Sequence, residues 1–500
     1  MEERPGNRII AINVISSAIQ VIIVGLAYFL IYRILISTLG VEVLGIWSLI
    51  IALSSISGLS NFGFQSAIVK YIAEYNARGE LAELSRLLFT SILSIIVIFM
   101  FIALLIYLSA HLFIGRLIDP HYVRTAMVVL PISLLGLFIS SFSGALTSAL
   151  EGFQRNYIRN FTYSFTSVLY LILAIIFIPH FGLIGLAVAQ VIQALVSVVI
   201  SYYFLNKTCF NFNFFRWNWD RKLFKILLNY GYKMQIVSIF QMLADPLTKI
   251  LLSRFSGNIT LGYYEMASKF ITQLRQIIAG MCQVTIPIVS HFVQIKISEI
   301  RNVYNTSFSF LVFVAFPLFT AIILFTPHLS RIWIGNVEPI FVNCAYILDL
   351  GMLINILCAP AYFNSLGEGK LNGVLYMSGI VLFLIAILGF ILGKTVQDYG
   401  VVISYALSTG SGSIFLIRYY HKLKNISFKD LLKFSDYSII ICSLLFAGIT
   451  IFLFTNFGSR INFNIKSLIC FILIYLAIFV PIASLNANFK LLDIRQYFKS

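Results

Sequence analysis

The sequence predicts an all-α polytopic membrane protein of about 14 transmembrane helices, built as two six-helix parallel repeats with two additional helices at the C-terminus. Three observations predict it. The 500 residues are 60% hydrophobic and 11% charged, with a mean hydropathy of +0.94, far outside soluble globular norms. Apolar runs of about 18 residues or more recur from end to end, each long enough for a hydrocarbon core about 30 Å thick. The third is an internal duplication. Long helical runs rather than short alternating segments exclude a β-barrel.

The duplication rests on two glycine-rich stretches. Gly40–Leu53 reads GVEVLGIWSLIIAL and Gly257–Phe270 reads GNITLGYYEMASKF; setting Gly45 on Gly262, an offset of 217, aligns G-x-x-x-L-G-[IY]-[WY]. The same offset carries Glu151-Gly152 onto Glu368-Gly369, and one residue more carries Phe181-Gly182 onto Tyr399-Gly400. A register kept over so long a stretch is the mark of a repeat. It divides the chain into a lobe at 1–217, a second at 218–434, and a tail at 435–500 with two more helices. Six helices per copy return the chain to its starting side, so the copies enter the membrane in one orientation, related by an axis along its normal.

The expected helices lie near 9–36, 43–65, 86–109, 122–149, 158–178, 183–205, 227–252, 262–290, 304–326, 339–363, 372–393, 400–419, 437–455 and 466–485. The first is too long for a signal-peptide core and has no small-residue cleavage site behind it, so it reads as retained. Prolines at 131, 246, 287, 317 and 360 interrupt these runs, read either as hinges or as tolerated kinks.

The net charge of +16 is read by location. Connections on the N-terminal side hold 24 of the 35 basic residues and the opposite connections seven. The positive-inside rule then places both termini in the cytoplasm of a multi-pass inner-membrane protein. The excess is topology, and nucleic acid is not a partner. The link at 206–225 mixes aromatics and cations, as suits a segment at the headgroup level. Scattered cysteines and histidines without ligand spacing give no metal site. No G-x-x-x-x-G-K-[ST], no G-x-S-x-G and no carboxylate pair in an external loop appears, so neither a cofactor nor an enzyme active site is expected. GSGS at Gly410–Ser413 reads as close helix packing.

Charge within the spans is the candidate machinery, because it costs several kcal/mol unless paired or facing water. Arg33 lies in the first helix, Asp245 and Lys249 in the seventh, Glu265, Lys269 and Arg275 in the eighth, and Asp349 in the tenth. Asp245/Lys249 and Glu265/Lys269 are i,i+4 pairs, and self-neutralisation stands beside a functional reading for both. Arg275 and Arg33 have no acid three or four residues away. Two readings are open for them, an aqueous cavity between the halves or pairing with another helix. Gln241 and Gln273 belong to amides concentrated in the same helices, and amides with arginine suit sugar hydroxyls plus phosphate. Asp245 and Asp349 are the candidates for ion coupling.

LGVEVLGIWSLIIAL, SGLSNFGFQSAIVKYIAE, SALEGFQRN, FGLIGLAVAQ and LGYYEMASKF together resemble the bacterial polysaccharide-biosynthesis oligosaccharide flippases of the multidrug/oligosaccharidyl-lipid/polysaccharide exporter superfamily. The resemblance spans roughly residues 8–420. It implies two six-helix lobes around a central cavity. It further implies movement of undecaprenyl-diphosphate-linked oligosaccharide from the cytoplasmic to the outer leaflet by alternating access. Its implied partners are that substrate, membrane lipid, and polysaccharide polymerase and chain-length machinery. Family members use cationic cavity residues for the diphosphate, and Arg33, Arg275, Lys249 and Lys269 are candidates by location. Asn61 stands where many relatives carry an acid, and the first helix has no carboxylate, unlike the multidrug branch. The competing readings are a cation-coupled small-molecule exporter on the same fold, a membrane glycosyltransferase or polymerase, and a scaffold.

Overall fold

The computed structural model describes residues 7–61, 64–78, 80–116, 118–153, 155–208, 219–229, 232–283, 299–427 and 434–457, with single positions at 285, 289, 292, 293, 431 and 475. Among them there is no strand. The helices are α1 Asn7–Leu39, α2 Val41–Ser55, α3 Phe64–Arg78, α4 Leu81–Phe113, α5 Pro120–Gly152, α6 Asn156–Thr208, α7 Arg221–Asn229 and α8 Tyr232–Phe255. There follow α9 Gly257–Gln283, α10 Glu299–Ile334, α11 Pro339–Leu357, α12 Ala359–Gly367, α13 Asn372–Thr395, α14 Gly400–Lys424 and α15 Phe434–Phe457. Ten helices among the described residues are long and apolar enough to cross a membrane, so the all-α polytopic expectation holds. One of the ten, α6, is two helices joined where Gly182 takes φ 56, as the separate spans at 158–178 and 183–205 anticipate. The last expected helix, 466–485, lies outside the described residues apart from Tyr475.

Two expected boundaries need correcting. The second span does not run on to residue 65: α2 ends at Ser55 and a 3-10 turn, Ile56–Asn61, follows. Here hydroxyls turn back on the backbone, Ser55 Oγ donating to the Ala52 carbonyl (2.7 Å) and Ser57 Oγ to that of Ser54, a competition with helical pairing to which serine is prone. The tenth span runs past residue 363 to Gly367, with an interruption at Cys358 ahead of Pro360, which supplies no N–H. Pro131, Pro246 and Pro317 sit inside continuous helices; Pro287 lies outside the described residues.

The chain forms two compact units, Met1–Gly262 and Tyr263–Ser500. In the first, α6 packs on α5 and α1, and α3 lies against α5 and α4. Its largest described apolar cluster joins Phe64 and Ile68 of α3, Leu88 and Ile92 of α4, Leu146 of α5, Leu205 of α6, and Leu223 and Leu227 of α7. Amphipathic α7 thus buries leucines and leaves Arg221, Lys222 and Lys225 exposed. Asp220 caps it, its Oδ1 accepting from the Lys222 amide at 2.6 Å. Residues 209–218 of the aromatic link lie outside the described residues. In the second unit α14 packs on α13 and α11, and α10 lies against α11 and α15. Asp436 of α15 is buried and accepts from Ser309 Oγ of α10 at 2.7 Å.

The repeated glycines have a structural counterpart. Gly40 and Gly257, 217 apart, both occupy the left-handed region (φ 88 and 80) and separate α1 from α2 and α8 from α9. Gly45 and Gly262 pack against one another's turns within the first unit. A Cβ on Gly45 would collide with the Asn258 carbonyl, and one on Gly262 with that of Val41. Small residues let membrane helices approach to backbone contact. Gly45→Ala is therefore expected to cost about 1–3 kcal/mol, as overpacking does. At Gly410 a Cβ would meet only Ile354, at 3.6 Å, so Gly410→Ala should be neutral or slightly stabilising. Thermal unfolding of the two variants in detergent checks the contrast.

Candidate functional site

The sequence-predicted residues divide between the units: Arg33, Gln241, Asp245 and Lys249 in the first, Lys269, Gln273, Arg275 and Asp349 in the second. In the first unit, Lys249 is buried on α8 and its Nζ lies 2.9 Å from Asp245 Oδ2, one turn earlier and half exposed. The i,i+4 pairing read from sequence is formed, with the cation inward and the acid outward. Gln241, a further turn back, is exposed. Arg33 on α1 is also exposed and has no partner among the described residues.

On α9 the burial is reversed. Glu265 is buried and Lys269 exposed, with Nζ 3.7 Å from Glu265 Oε1, a looser contact than the α8 pair. Arg275 lies further along α9, and its Nε donates to Asn355 Oδ1 of α11 at 2.6 Å. Asn355 Nδ2 donates to Ser413 Oγ at 2.9 Å, and Ser413 Oγ to the Thr409 carbonyl at 2.7 Å, both on α14. The guanidinium is thus answered by an amide and not by an acid. It keeps its full positive charge, and its Nη groups have no partner among the described residues. Gln273 Oε1 is buried with no hydrogen-bond donor among the described residues.

Asp349 is 0% exposed on α11, and neither carboxyl oxygen has a hydrogen-bond partner among the described residues. Ser404 and Ser408, one turn apart on the neighbouring α14, have buried hydroxyls in the same condition. An ionised carboxylate left so would cost several kcal/mol, so this side chain is suited to taking up a proton or a small cation.

These charges are not part of the duplicated framework. Subtracting 217 from Asp245, Lys249, Glu265, Lys269, Arg275 and Asp349 gives Tyr28, Tyr32, Ser48, Ala52, Gly58 and Ile132, all uncharged. Conversely, Arg33 maps onto Ile250. The glycines that seat helix on helix recur; the charges that cost energy inside a membrane occur once.

Sequence reading missed a second polar cluster. Buried Glu368, just past α12, accepts from Tyr420 Oη (2.8 Å) and pairs with Lys424 Nζ (2.8 Å) and Lys370 Nζ (3.4 Å). Tyr419-Tyr420 and Lys424 lie 217 beyond Tyr202-Tyr203 and Lys207, where Lys207 Nζ donates to Tyr203 Oη at 3.0 Å. Glu151, the counterpart of Glu368, contacts Arg159 at 3.4 Å. In the first half Glu151 meets Arg159 and Lys207 meets Tyr203 as two separate contacts, whereas Glu368 holds its tyrosine and lysines in one cluster. Only its Glu-Gly landmarks are visible without the fold, because the partners lie 52 and 56 residues further along the chain.

The polysaccharide biosynthesis protein family matches residues 10–293. A protein of Shigella flexneri described as "Putative O-antigen transporter" is 22% identical over 370 residues, 73% of this chain and 85% of that protein. Among solved structures, the lipid II flippase MurJ in an inward closed conformation superposes with a TM-score of 0.70 at 16% identity, covering 95% of this chain and 98% of that one. An inward-facing multidrug resistance MATE family transporter of the MOP superfamily gives a TM-score of 0.66 at 17% identity, covering 81% of this chain and 96% of the other. At these identities the solved structures establish the fold.

The opposite burial of the two lysines yields a test. Lys249→Ala removes a buried side chain and is expected to cost about 2–4 kcal/mol, as large-to-small buried substitutions do. Lys269→Ala should cost under about 1 kcal/mol, the usual worth of an exposed pair. Detergent-phase unfolding of both variants decides whether the lysines differ in this sense.

Proposed function

This chain belongs to the polysaccharide biosynthesis protein family, and from that premise we propose that it is a flippase for undecaprenyl-diphosphate-linked oligosaccharide, a transporter and not an enzyme. The observation that carries the reading is Arg275: a guanidinium on α9, held through Nε by a neutral amide, its charge not cancelled by any acid among the described residues. An anion carrying several phosphate oxygens is the ligand such a group suits. The Shigella flexneri relative and the flippase among the structural neighbours support the substrate class.

An oligosaccharide cannot cross bare lipid, since each unsatisfied hydroxyl costs several kcal/mol. Polar side chains opened alternately to each side remove that cost while the prenyl tail stays in lipid. In this reading Arg275 and Lys269 of the second unit serve the diphosphate and Gln273 the sugars, while Arg33, Lys249 and Gln241 are proposed polar contacts of the first unit. Gln273 Oε1, a buried acceptor without a donor among the described residues, suits a hydroxyl. Asp349, whose carboxyl has no hydrogen-bond partner among the described residues, is better placed than Asp245 to take up the coupling ion, because Asp245 already answers Lys249. Both termini lie in the cytoplasm of the inner membrane, by the charge asymmetry of the connections. Outward movement of an anion then gains about 2.3 kcal/mol per charge per 100 mV of inside-negative potential. Polysaccharide polymerase and chain-length proteins would act downstream.

In cells that assemble a surface polysaccharide, deleting the gene should leave single-repeat, diphosphate-linked oligosaccharide on the cytoplasmic leaflet. Arg275→Ala is expected to restore less than about a tenth of wild-type export, the loss of one charge-assisted contact, and Arg275→Lys an intermediate level. No accumulation, together with gained ethidium efflux on expression, would favour a cation-coupled exporter instead. Asp349→Asn should leave the melting temperature within a few degrees of wild type while abolishing dependence of export on an ion gradient. A large drop in melting temperature with coupling intact would make Asp349 a structural residue.

A further inference from the structure

We infer that Asn355 is a positioning residue that aims Arg275 at the anionic headgroup, with Ser413 and the Thr409 carbonyl fixing Asn355 in turn. The inference rests on the reading of Arg275 as the diphosphate contact and adds how that contact is set.

The polarity of the chain of bonds is forced by chemistry. A guanidinium has only donors, so the Asn355 atom 2.6 Å from Arg275 Nε must be the carbonyl oxygen. That leaves the Asn355 NH2 facing Ser413 Oγ at 2.9 Å as a donor. The Ser413 hydroxyl, having accepted, passes its own hydrogen to the Thr409 carbonyl at 2.7 Å. Arg275 Nε and the Asn355 amide each have one orientation compatible with the other, Ser413 also meets the Cys358 thiol, and the series ties α9 to α11 and α14 within one unit. Asn355 is 7% exposed and Ser413 fully buried, so water competes little for these bonds. With Nε occupied, the side-on fork that uses Nε and one Nη is closed. The guanidinium is left to meet an anion end-on, through its two Nη groups. Fixing one rotamer before binding removes an ordering cost that a free arginine would meet on binding.

A purely structural role fits less well. Subtracting 217 from Arg275 and Asn355, and 218 from Thr409 and Ser413 beyond the one-residue shift at Gly400, gives Gly58, Phe138, Val191 and Leu195. The first copy folds with no polar side chain at any of these positions. The serine is the last residue of GSGS, in which Gly412, where a Cβ would strike Val381, accounts for the close packing.

The test is calorimetric titration of farnesyl diphosphate onto the full chain in detergent, with farnesol as the uncharged control. Wild type should prefer the diphosphate. Asn355→Leu should weaken diphosphate binding about tenfold, the loss expected for one oriented charge-assisted bond, without moving farnesol binding. Arg275→Lys keeps the charge but loses the Nε contact and should weaken it comparably. The double variant should be no weaker than Arg275→Lys alone, since both remove one interaction. Ser413→Ala, which takes away only a hydroxyl, should give a loss of a few fold in the same direction; it decides the matter if Asn355→Leu does not fold. Unchanged affinity in the Asn355 and Ser413 variants, or losses that add in the double variant, would overturn the positioning role with the anion site intact. A wild-type protein that does not distinguish farnesyl diphosphate from farnesol would overturn the anion reading itself, and the positioning role with it.

Discussion

A charge in hydrocarbon costs several kcal/mol unless something answers it, and the second half of this chain answers its charges in three different ways. Lys249 and Glu265 are buried and paired with an acid or base one turn away. Arg275 is answered by an amide, which satisfies one donor and leaves the charge standing. Asp349 is answered by nothing among the described residues. The first arrangement neutralises, the second leaves the charge standing, and the third leaves a carboxyl without a hydrogen-bond partner among the described residues.

The framework that holds these groups is built from a different currency, close approach of small residues. Gly45 and Gly262, equivalent positions of the two copies, meet where any Cβ would strike a carbonyl, and Gly40 and Gly257 break the helices ahead of them at the same backbone angle. Glu151 and Glu368 recur as landmarks, the first paired with Arg159 and the second with Lys424. The recurring parts seat helices, whereas the charges within the helices each occur in one copy only.

The fold was largely legible because hydropathy and glycine spacing are themselves the physics of membrane helices. The α8 and α9 ion pairs were legible for a related reason, since i,i+4 spacing fixes proximity within one helix. What stayed hidden depends on contacts between helices. Nothing in the sequence links Arg275 to Asn355 or Ser413, because a lone amide in an apolar run leaves no periodic trace. Glu368 looked like a repeat landmark until the fold brought Tyr420 and Lys424 to it. The early end of α2 turned on serine hydroxyls choosing backbone carbonyls, a local competition that a hydropathy window averages away.

The central claim is that this chain carries a diphosphate-linked oligosaccharide across a bilayer, and reconstitution tests it most directly. Purified protein would be placed in liposomes holding a fluorescent prenyl-diphosphate disaccharide in one leaflet, with a membrane potential imposed and an impermeant quencher outside. Wild type should make the probe exchange leaflets faster than in protein-free liposomes, at a rate set by the potential and lowered by Arg275→Ala. Exchange at the protein-free rate, whatever the potential, would contradict it.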